Sequence, residues 1–317
     1  MTLLIHPGFH KTGTSWLQEE VFTDRRLFHM TLSHEEAFRA IVKPHDFDFD
    51  PEAARAVLDR SRSNGRDGVV DVLSSEVLCG TRTTGQRESR TIADRLGAIT
   101  GPAKILFTVR SQSATLRASY MQFVKRGGRK SFADFLTFEP EPGYTFFDIR
   151  QLAYHHLIEH YAMLYGEENV LVLPQEVLAR DPDAFFDALV RFATGQAPPE
   201  GVSISRAERA GGSPPASGLP ILRFASHFRR SPMDNDPVLP IEPLGAALMS
   251  LGYRWKLGNG RATRTLRSQV KDHVGGRFGT SNARMQRFCP FALAELGYEV
   301  EGEALPRQEA ATGQPRR

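Results

Sequence analysis

The chain has 317 residues, of which 40% are hydrophobic, and its 40 basic residues outnumber its 37 acidic residues to give a formal charge of +3. This length and composition allow a sizeable buried core, either in one large α/β domain or in two small ones. The small basic excess favours an anionic ligand only weakly, and it gives no ground for nucleic-acid binding.

The cysteines and the apolar segments indicate the redox state and the cellular location to expect. Cys79 and Cys289 are too few for a disulfide framework and lack a metal-ligand spacing, so we expect two reduced thiols. The apolar residues 3–5 are followed at once by polar and turn residues, which is too short for a signal peptide, and no run of ~18 apolar residues could span a bilayer. The expectation is a cytoplasmic protein without a membrane span.

Four short apolar runs predict β-strands that end in polar or turn residues. The first, "TLLIHPG", is followed by helical periodicity in "TSWLQEEVF", so a loop connects a strand to a helix near the N-terminus. The other predicted strands lie at 68–76, 103–110 and 168–176.

Helical patterns separate these strands. We predict helices at about 51–63, 86–99, 113–126, 147–165 and 182–193. Asp181 is the expected N-cap of the last of them, with Pro182 at its first position. This alternation predicts the α/β class, with a P-loop-type doubly wound parallel β-sheet flanked by helices.

Ligands of such sheets bind outside the carboxyl ends of the strands. We therefore expect the polar residues that follow the four strands, Lys11, Glu76, Arg110 and Glu176, to meet at one edge of the sheet.

The alternation stops after residue 195. Irregular loops are predicted at 195–218 and 229–243, with helices near 219–230, 243–251 and 261–273. We assign residues 1–302 to a single domain and expect 303–317 to form a disordered tail.

The loop after the first strand has the composition of an anion site. Backbone N–H groups in a glycine-containing strand-to-helix turn, together with the helix dipole, bind a diphosphate-like group. The segment nearly fits the Walker A pattern, but Thr14 stands where the lysine belongs, and the lysine is three residues earlier, at Lys11. No strand ends in a Walker B aspartate. This favours a metal-free transfer in which a cation stabilises the leaving oxygen.

The segment "HKTGTSWLQ" resembles the 5′-phosphosulfate loop of the sulfotransferases that use 3′-phosphoadenosine 5′-phosphosulfate (PAPS). The match runs position for position over Lys11, Thr12, Gly13, Thr14, Ser15, Trp16 and Leu17. The resemblance implies PAPS as donor, its desulfated form PAP as product and no required metal. It also implies that Lys11 to Ser15 bind the donor and that Trp16 lies beside its adenine. A degenerate P-loop that binds another nucleotide, or none, is the alternative.

A second segment, "KILFTVRSQSATLRASYMQFVKRGG", resembles the strand–loop–helix that binds the 3′-phosphate in the same family. Arg110 matches the family's arginine, whose fork suits a dianionic phosphate. The family's serine stands eight residues later, at Ala118 here, so Ser119 is carried over as its replacement or the contact is missing.

Near the C-terminus, "KDHVGGRFGTSNARM" is similar to the loop that covers the 3′-phosphate and adenine in this family. The resemblance makes Arg277 a second phosphate contact. A solvated basic loop is the alternative.

Glu76 is the candidate general base. It resembles the catalytic glutamate of the glycan-modifying sulfotransferases rather than the histidine of the small-phenol type. Desolvation by donor and acceptor favours proton uptake by this carboxylate, while Lys11 stabilises the leaving oxygen. Ser74 or Ser75 would orient Glu76 or the substrate. The alternative is that Glu76 caps the next helix or pairs with an arginine.

Two other functions stay open at this point. The pattern "HLIEH" gives a zinc hydrolase using His156, Glu159 and His160, because a helix would place both histidines on one face. A catalytically silent or different-specificity P-loop nucleotide-binding protein or kinase is the other.

The acceptor does not follow from these motifs. We expect a small molecule or a glycan, in a site walled by the loops at 195–218 and 229–243 and by the segment "YMQFVKRGGRK". The basic residues of these segments favour an anionic glycan, with a solvated basic surface as the alternative. They are Arg126, Arg129, Arg206, Arg209, Arg229 and Arg230.

Overall fold

The computed structural model describes residues 2–62, 68–81, 85–202, 213–233 and 237–301. Five parallel strands form one sheet in the order β2-β3-β1-β4-β5, flanked by helices, which confirms the predicted α/β class and parallel sheet. The strands are β1 (Leu3–His6), β2 (Phe28–Met30), β3 (Val70–Ser74), β4 (Lys104–Val109) and β5 (Val170–Pro174).

The helices of the N-terminal half are α1 (Thr14–Trp16), α2 (His34–Ala37), α3 (Pro51–Arg60), α4 (Ser89–Thr100), α5 (Gln112–Lys125) and α6 (Phe132–Thr137). Those of the C-terminal half are α7 (His155–Tyr165), α8 (Gln175–Arg180), α9 (Pro182–Thr194), α10 (Leu219–Ala225), α11 (Glu242–Arg254), α12 (Asn259–Val274) and α13 (Gly279–Gln286). A π-helical turn, Leu17–Val21, continues α1.

Side chains of β1 alternate between two hydrophobic clusters, one on each face of the sheet. Leu3 and Ile5 belong to a cluster with α4, α5 and α7, whereas Leu4 belongs to a cluster with the π-helical turn, α8 and α9. Successive strand residues point to opposite faces, so burial on both sides requires an unbroken apolar run. Layers on both faces agree with the doubly wound arrangement.

Capping residues fix several helix starts. The side chain of Asp181 accepts a hydrogen bond from Ala184 N at the start of α9, with Pro182 at the first position, as predicted. Asp50 caps α3 in the same way, through bonds from Glu52 N and Ala53 N.

Several elements differ from the predictions, and the short helices α2, α6 and α8 were not predicted. The edge strand β2 was not predicted, because three residues are too few to show a period. The predicted helix 147–165 divides into a 3₁₀ turn at Ile149–Leu152 and α7, and the predicted helix 219–230 ends with α10 at Ala225. The predicted loop at 271–285 contains the end of α12 and all of α13, separated by a turn in which Gly276 has a φ of +70°.

Parts of the remaining predictions fall outside the described residues. These parts are 203–212 and 234–236 of the two irregular loops, which include Arg206 and Arg209, and the whole tail 303–317. Among the described residues, no helix is both long and apolar enough to cross a bilayer.

Candidate active site

The loop between β1 and α1 turns twice through left-handed backbone. Gly13 has a φ of +98° and Lys11 a φ of +70°, a region that a residue with a Cβ enters only at a cost of ~1–3 kcal/mol. Gly8 is closely packed: a Cβ there would lie 2.3 Å from Thr14 Oγ1. The tight turn therefore requires glycine at positions 8 and 13.

Thr14 has a hydroxyl that faces this turn. Its Oγ1 is buried and has no hydrogen-bond partner among the described residues. A buried hydroxyl left without a partner costs about 1–3 kcal/mol. An anionic oxygen held by the loop's N–H groups would remove that cost, so this hydroxyl fits the phosphate group of a donor such as PAPS. Ser15 next to it is exposed.

A chain of buried side chains lies beneath the loop. His6 Nε2 is 3.0 Å from Thr108 Oγ1 of β4, and Thr108 Oγ1 is 2.8 Å from Thr12 Oγ1. Thr12 donates its hydroxyl proton to Phe9 O at 2.5 Å. Since Thr12 uses its proton in this way, Thr108 must donate to Thr12, and His6 must donate from Nε2 to Thr108.

The same chain continues on the other side of the His6 ring. His6 Nδ1 is 2.8 Å from Ser74 Oγ of β3, and Gln18 Nε2 donates to Ser74 Oγ at 3.1 Å and to Ser74 O at 2.9 Å. A ring that donates from Nε2 accepts at Nδ1, so Ser74 donates to His6. We call the chain Gln18–Ser74–His6–Thr108–Thr12 the buried relay. Full burial lowers the pKa of His6 to about 3, so the ring is neutral, as this pattern needs.

The predicted site residues meet at the carboxyl edge of the sheet. β3, β1 and β4 are neighbours, so the segments that follow them lie side by side. Arg110 Nη1 is 3.4 Å from Lys11 O. Glu76 begins a 3₁₀ turn, Glu76–Cys79, directly after β3, and its Oε2 is 3.7 Å from His10 Nδ1. Arg110 and Glu76 thus lie beside the loop that carries Lys11.

His10 orients the Glu76 side of the loop. Its Nε2–H donates to Gly80 O at 2.9 Å, so Nδ1 points towards Glu76. The Glu76 side chain is 44% exposed and the His10 side chain 12% exposed. The carboxylate is therefore reachable from solvent, while the histidine beside it is held by the protein.

Tyr154 and Glu176 hold the backbone after β4, and Tyr298 holds Glu176. Tyr154 donates its hydroxyl to Arg110 O at 2.9 Å, and burial raises the pKa of Tyr154. Ser111 N donates to Glu176 Oε1 at 3.0 Å, and Tyr298 donates to Glu176 Oε2 at 2.8 Å. Glu176, expected at this edge, lies there and fixes the backbone next to Arg110.

Other predicted residues lie away from the loop's interior. Ser119 is buried on α5, where its Oγ has no partner among the described residues and faces a small cavity with Phe135, Phe146 and Phe147. Thr12 directs its hydroxyl into the relay, which leaves only its backbone for a ligand. Arg277 is exposed in the turn between α12 and α13.

The remaining predicted side chains have identifiable neighbours. Trp16 is partly buried against the cluster that contains α8 and α9. Ser75 Oγ lies 2.9 Å from His34 Nδ1 and caps the 3₁₀ turn, while Ser74 belongs to the buried relay, so both hydroxyls serve the protein framework. The segment after α12 does reach this region, because Gln112 Nε2 at the start of α5 donates to Asn282 Oδ1 at 2.6 Å.

The zinc pattern has a different set of contacts. Glu159 accepts hydrogen bonds from Arg284 Nε at 2.8 Å and Arg287 Nη2 at 3.2 Å, and His160 Nε2 lies 2.6 Å from Asp94 Oδ1. Within the described part of the chain, no group of three or more His, Cys, Asp or Glu side chains is placed to hold a metal ion. The side chains of Glu159 and His160 on α7 thus connect this helix to α13 and α4. These contacts give the zinc-hydrolase alternative no support.

Comparison with known proteins finds similar solved structures at low sequence identity. No protein-family model and no curated protein matches the chain. Among solved structures it is similar to a sulfotransferase from Alicyclobacillus acidocaldarius, with 19% identity over 82% of this chain and 99% of that one and a TM-score of 0.47.

Two further solved structures are sulfotransferase domains. One is from the olefin synthase of Synechococcus PCC 7002, with 14% identity over 78% of this chain and 93% of that one and a TM-score of 0.38. The other is from the curacin biosynthetic pathway, with 15% identity over 85% and 97% and a TM-score of 0.37.

Proposed function

We propose that this protein is a sulfotransferase, which moves the sulfuryl group of PAPS to a hydroxyl or amine of an acceptor. The observation that carries the proposal is the meeting of Lys11, Arg110 and Glu76 around one strand-to-helix loop. The partnerless hydroxyl of Thr14, facing the turn at Gly8, supports a bound phosphate there.

PAPS supplies an activated sulfur whose bond to a phosphate oxygen is broken in the reaction. Lys11 is assigned to the bridging oxygen, where its charge offsets the negative charge that develops as PAP departs. Arg110 is assigned to the 3′-phosphate, which its guanidinium can hold by paired charge-assisted hydrogen bonds. Ser119 and Arg277 stay predicted contacts, with less support from their positions.

Glu76 is assigned the acceptor side. The acceptor oxygen or nitrogen forms a bond to sulfur as the sulfur–oxygen bond of the donor breaks, and the acceptor's proton passes to the Glu76 carboxylate. The electron pair of the broken bond stays on the phosphate oxygen of PAP. His10 Nδ1 lies 3.7 Å from Glu76 Oε2, and the hydrogen bond from His10 Nε2 to Gly80 O fixes the histidine in this position.

Three substitutions test these assignments with labelled PAPS and a panel of carbohydrate, lipid and phenolic acceptors. Lys11→Ala and Glu76→Gln should each lower transfer at least about 100-fold, the usual effect of losing one charge-stabilising or general-base group. Arg110→Ala should weaken PAP binding by about tenfold or more in calorimetry.

Matched controls replace exposed residues of the same type. Lys43→Ala and Glu52→Gln should keep both transfer and PAP affinity, since both side chains are exposed on elements outside the candidate site. A protein that does not bind PAP but binds ATP tightly and only with Mg²⁺ would instead be the P-loop nucleotide-binding protein or kinase. PAP binding without transfer to any acceptor would indicate the catalytically silent alternative.

A further inference from the structure

An open cavity of about 590 Å³ adjoins the phosphate loop, within the ~300–1,000 Å³ range of small-molecule sites. We call it the α4–α7 cavity, because its walls come from the start of α4 and its preceding turn, from residues 148–157 and from His160. Phe9 of the loop forms part of the wall.

Contacts connect this cavity to the Glu76 side of the loop. Gln86 lines the cavity and packs so closely on Gly80 that a Cβ at Gly80 would lie 3.1 Å from Gln86 Cα. Gly80 O accepts the hydrogen bond from His10, and His10 faces Glu76. A molecule in the cavity therefore lies next to the segment that carries the proposed base.

The charged groups of the cavity are mostly positive. Arg87, Arg90 and Arg150 line it together with one carboxylate, Asp148. Arg150 already neutralises Asp148, since its Nε is 3.0 Å from both carboxylate oxygens, and this contact lowers the pKa of Asp148. The lining thus carries three arginines against one carboxylate, and Asp94, outside the lining, lies 3.9 Å from Arg90, which still leaves a net positive charge on this wall.

The two arginines are held differently. Arg87 Nη2 donates to Gly143 O at 2.7 Å, and its guanidinium lies over the Tyr144 ring at 4.5 Å, so the side chain is positioned with further N–H groups left over. Arg90 Nε is 3.9 Å from Asp94 Oδ2, and its side chain is 80% exposed. One arginine is fixed and the other can adjust to a ligand.

The histidines of the "HLIEH" segment complete the polar lining. His156 and His160 both face the cavity from α7, one turn apart. His160 is paired with Asp94, and the exposed ring of His156 stacks on His155 with centroids 3.9 Å apart. Imidazole rings donate and accept hydrogen bonds, which suits hydroxyl groups.

We infer that the α4–α7 cavity binds the acceptor and selects acceptors that carry an oxyanion, a carboxylate or a phosphate, beside their hydroxyl groups. This rests on the proposed function for the word acceptor, whereas the preference for an anion rests on the arginines alone. The basic residues that the sequence analysis proposed, such as Arg126 and Arg129, do not line this cavity.

Binding of three matched probes tests the inference without catalysis. p-Nitrophenyl β-glucuronide and p-nitrophenyl β-glucoside differ only in one carboxylate, and p-nitrophenyl glucoside 6-phosphate tests a phosphate in its place. In calorimetry, with and without PAP, we expect the two anionic probes to bind at least about tenfold more tightly than the glucoside. One charge-assisted hydrogen bond is sufficient for this ratio.

Variants assign that preference to the cavity. Arg90→Gln, with little to disturb in the fold, should reduce the preference several-fold, and Arg87→Gln with Arg90→Gln should remove it while PAP affinity stays unchanged. The control Arg60→Gln changes an exposed arginine on α3 and should keep the preference. Thermal melting confirms that each variant is folded.

The outcomes separate this inference from the proposed function. Equal binding of the probes, no binding of any of them, or an unchanged preference in the double variant overturns the inference. If the wild-type protein does not bind PAP, the proposed function is refuted. The preference for anionic probes can still be measured in that case, because the probe titrations do not need PAP.

Discussion

The burial of His6 predicts how much the protein's stability falls in acid. The ring is fully buried and its pKa is lowered from 6.5 to about 3, because charging it would remove an ion from water without compensation. Well above pH 6.5 the ring is neutral in both the folded and the unfolded state. Below that value the unfolded chain binds a proton that the folded protein does not, so the free energy of unfolding falls as the pH falls.

The magnitude follows from the difference between the two pKa values. The slope contributed by this one ring approaches about 1.36 kcal/mol per pH unit between pH 6.5 and about 3, so lowering the pH from about 7.5 to about 5 should cost about 2 kcal/mol. That is a large share of the ~5–15 kcal/mol stability typical of a folded domain.

Urea unfolding followed by circular dichroism at several pH values measures this slope. The variant His6→Gln keeps a donor and an acceptor but has no titratable ring, so its stability should depend less on pH by about 1.36 kcal/mol per unit. The exposed His45→Gln is the matched control and should keep the wild-type slope. Identical slopes for His6→Gln and the wild-type protein would refute a neutral, buried His6 and, with it, the direction of the relay.

Two further predictions concern the loop and the packing behind Arg110. Gly8→Ala places a Cβ only 2.3 Å from Thr14 Oγ1, so calorimetry should show at least about a tenfold loss of PAP affinity. The control Gly260→Ala, whose new Cβ would lie 3.7 Å from the flexible end of Arg264, should keep that affinity. Unchanged PAP affinity in Gly8→Ala would contradict the tight turn. Asn282→Leu removes the shorter of the two hydrogen bonds donated by the buried Gln112 Nε2 and leaves only the 3.4 Å contact with Leu152 O, so it should lower the urea-unfolding free energy by about 1–3 kcal/mol. No change would mean that the pair adds nothing to stability.

The sequence predicts the sheet where burial on both faces leaves a continuous apolar run. Leu3 to Ile5 is such a run, and so are the apolar stretches within β4 and β5, whereas β3 is interrupted by the buried Asp71. The strand β2 at the edge carries only Phe28–Met30, which is too short to separate from a loop. At 271–285 the family resemblance implied a loop, whereas the segment holds the end of α12 and all of α13, with Gly275 and Gly276 in the turn between them.

The candidate site likewise has features that the sequence could predict and features that it could not. Lys11, Glu76 and Arg110 were predictable, because each follows a strand and parallel strands bring their carboxyl ends together. The closeness of His10 to Glu76 was not predictable, since it depends on how the loop folds over the 3₁₀ turn. The α4–α7 cavity joins residues 85–90 to 148–160, and no local pattern reports a contact between segments so far apart.

The buried relay gives the unusual backbone at Lys11 a physical basis. The relay can run in only one direction, because Gln18 Nε2 can only donate and Phe9 O can only accept. It therefore ties the loop to the sheet at Phe9 and Thr12, on both sides of Lys11. Two anchors one and two residues away hold Lys11 at a φ of +70°, a conformation that costs ~1–3 kcal/mol by itself. A neutral His6 is then part of what positions the lysine, although it lies beneath the loop.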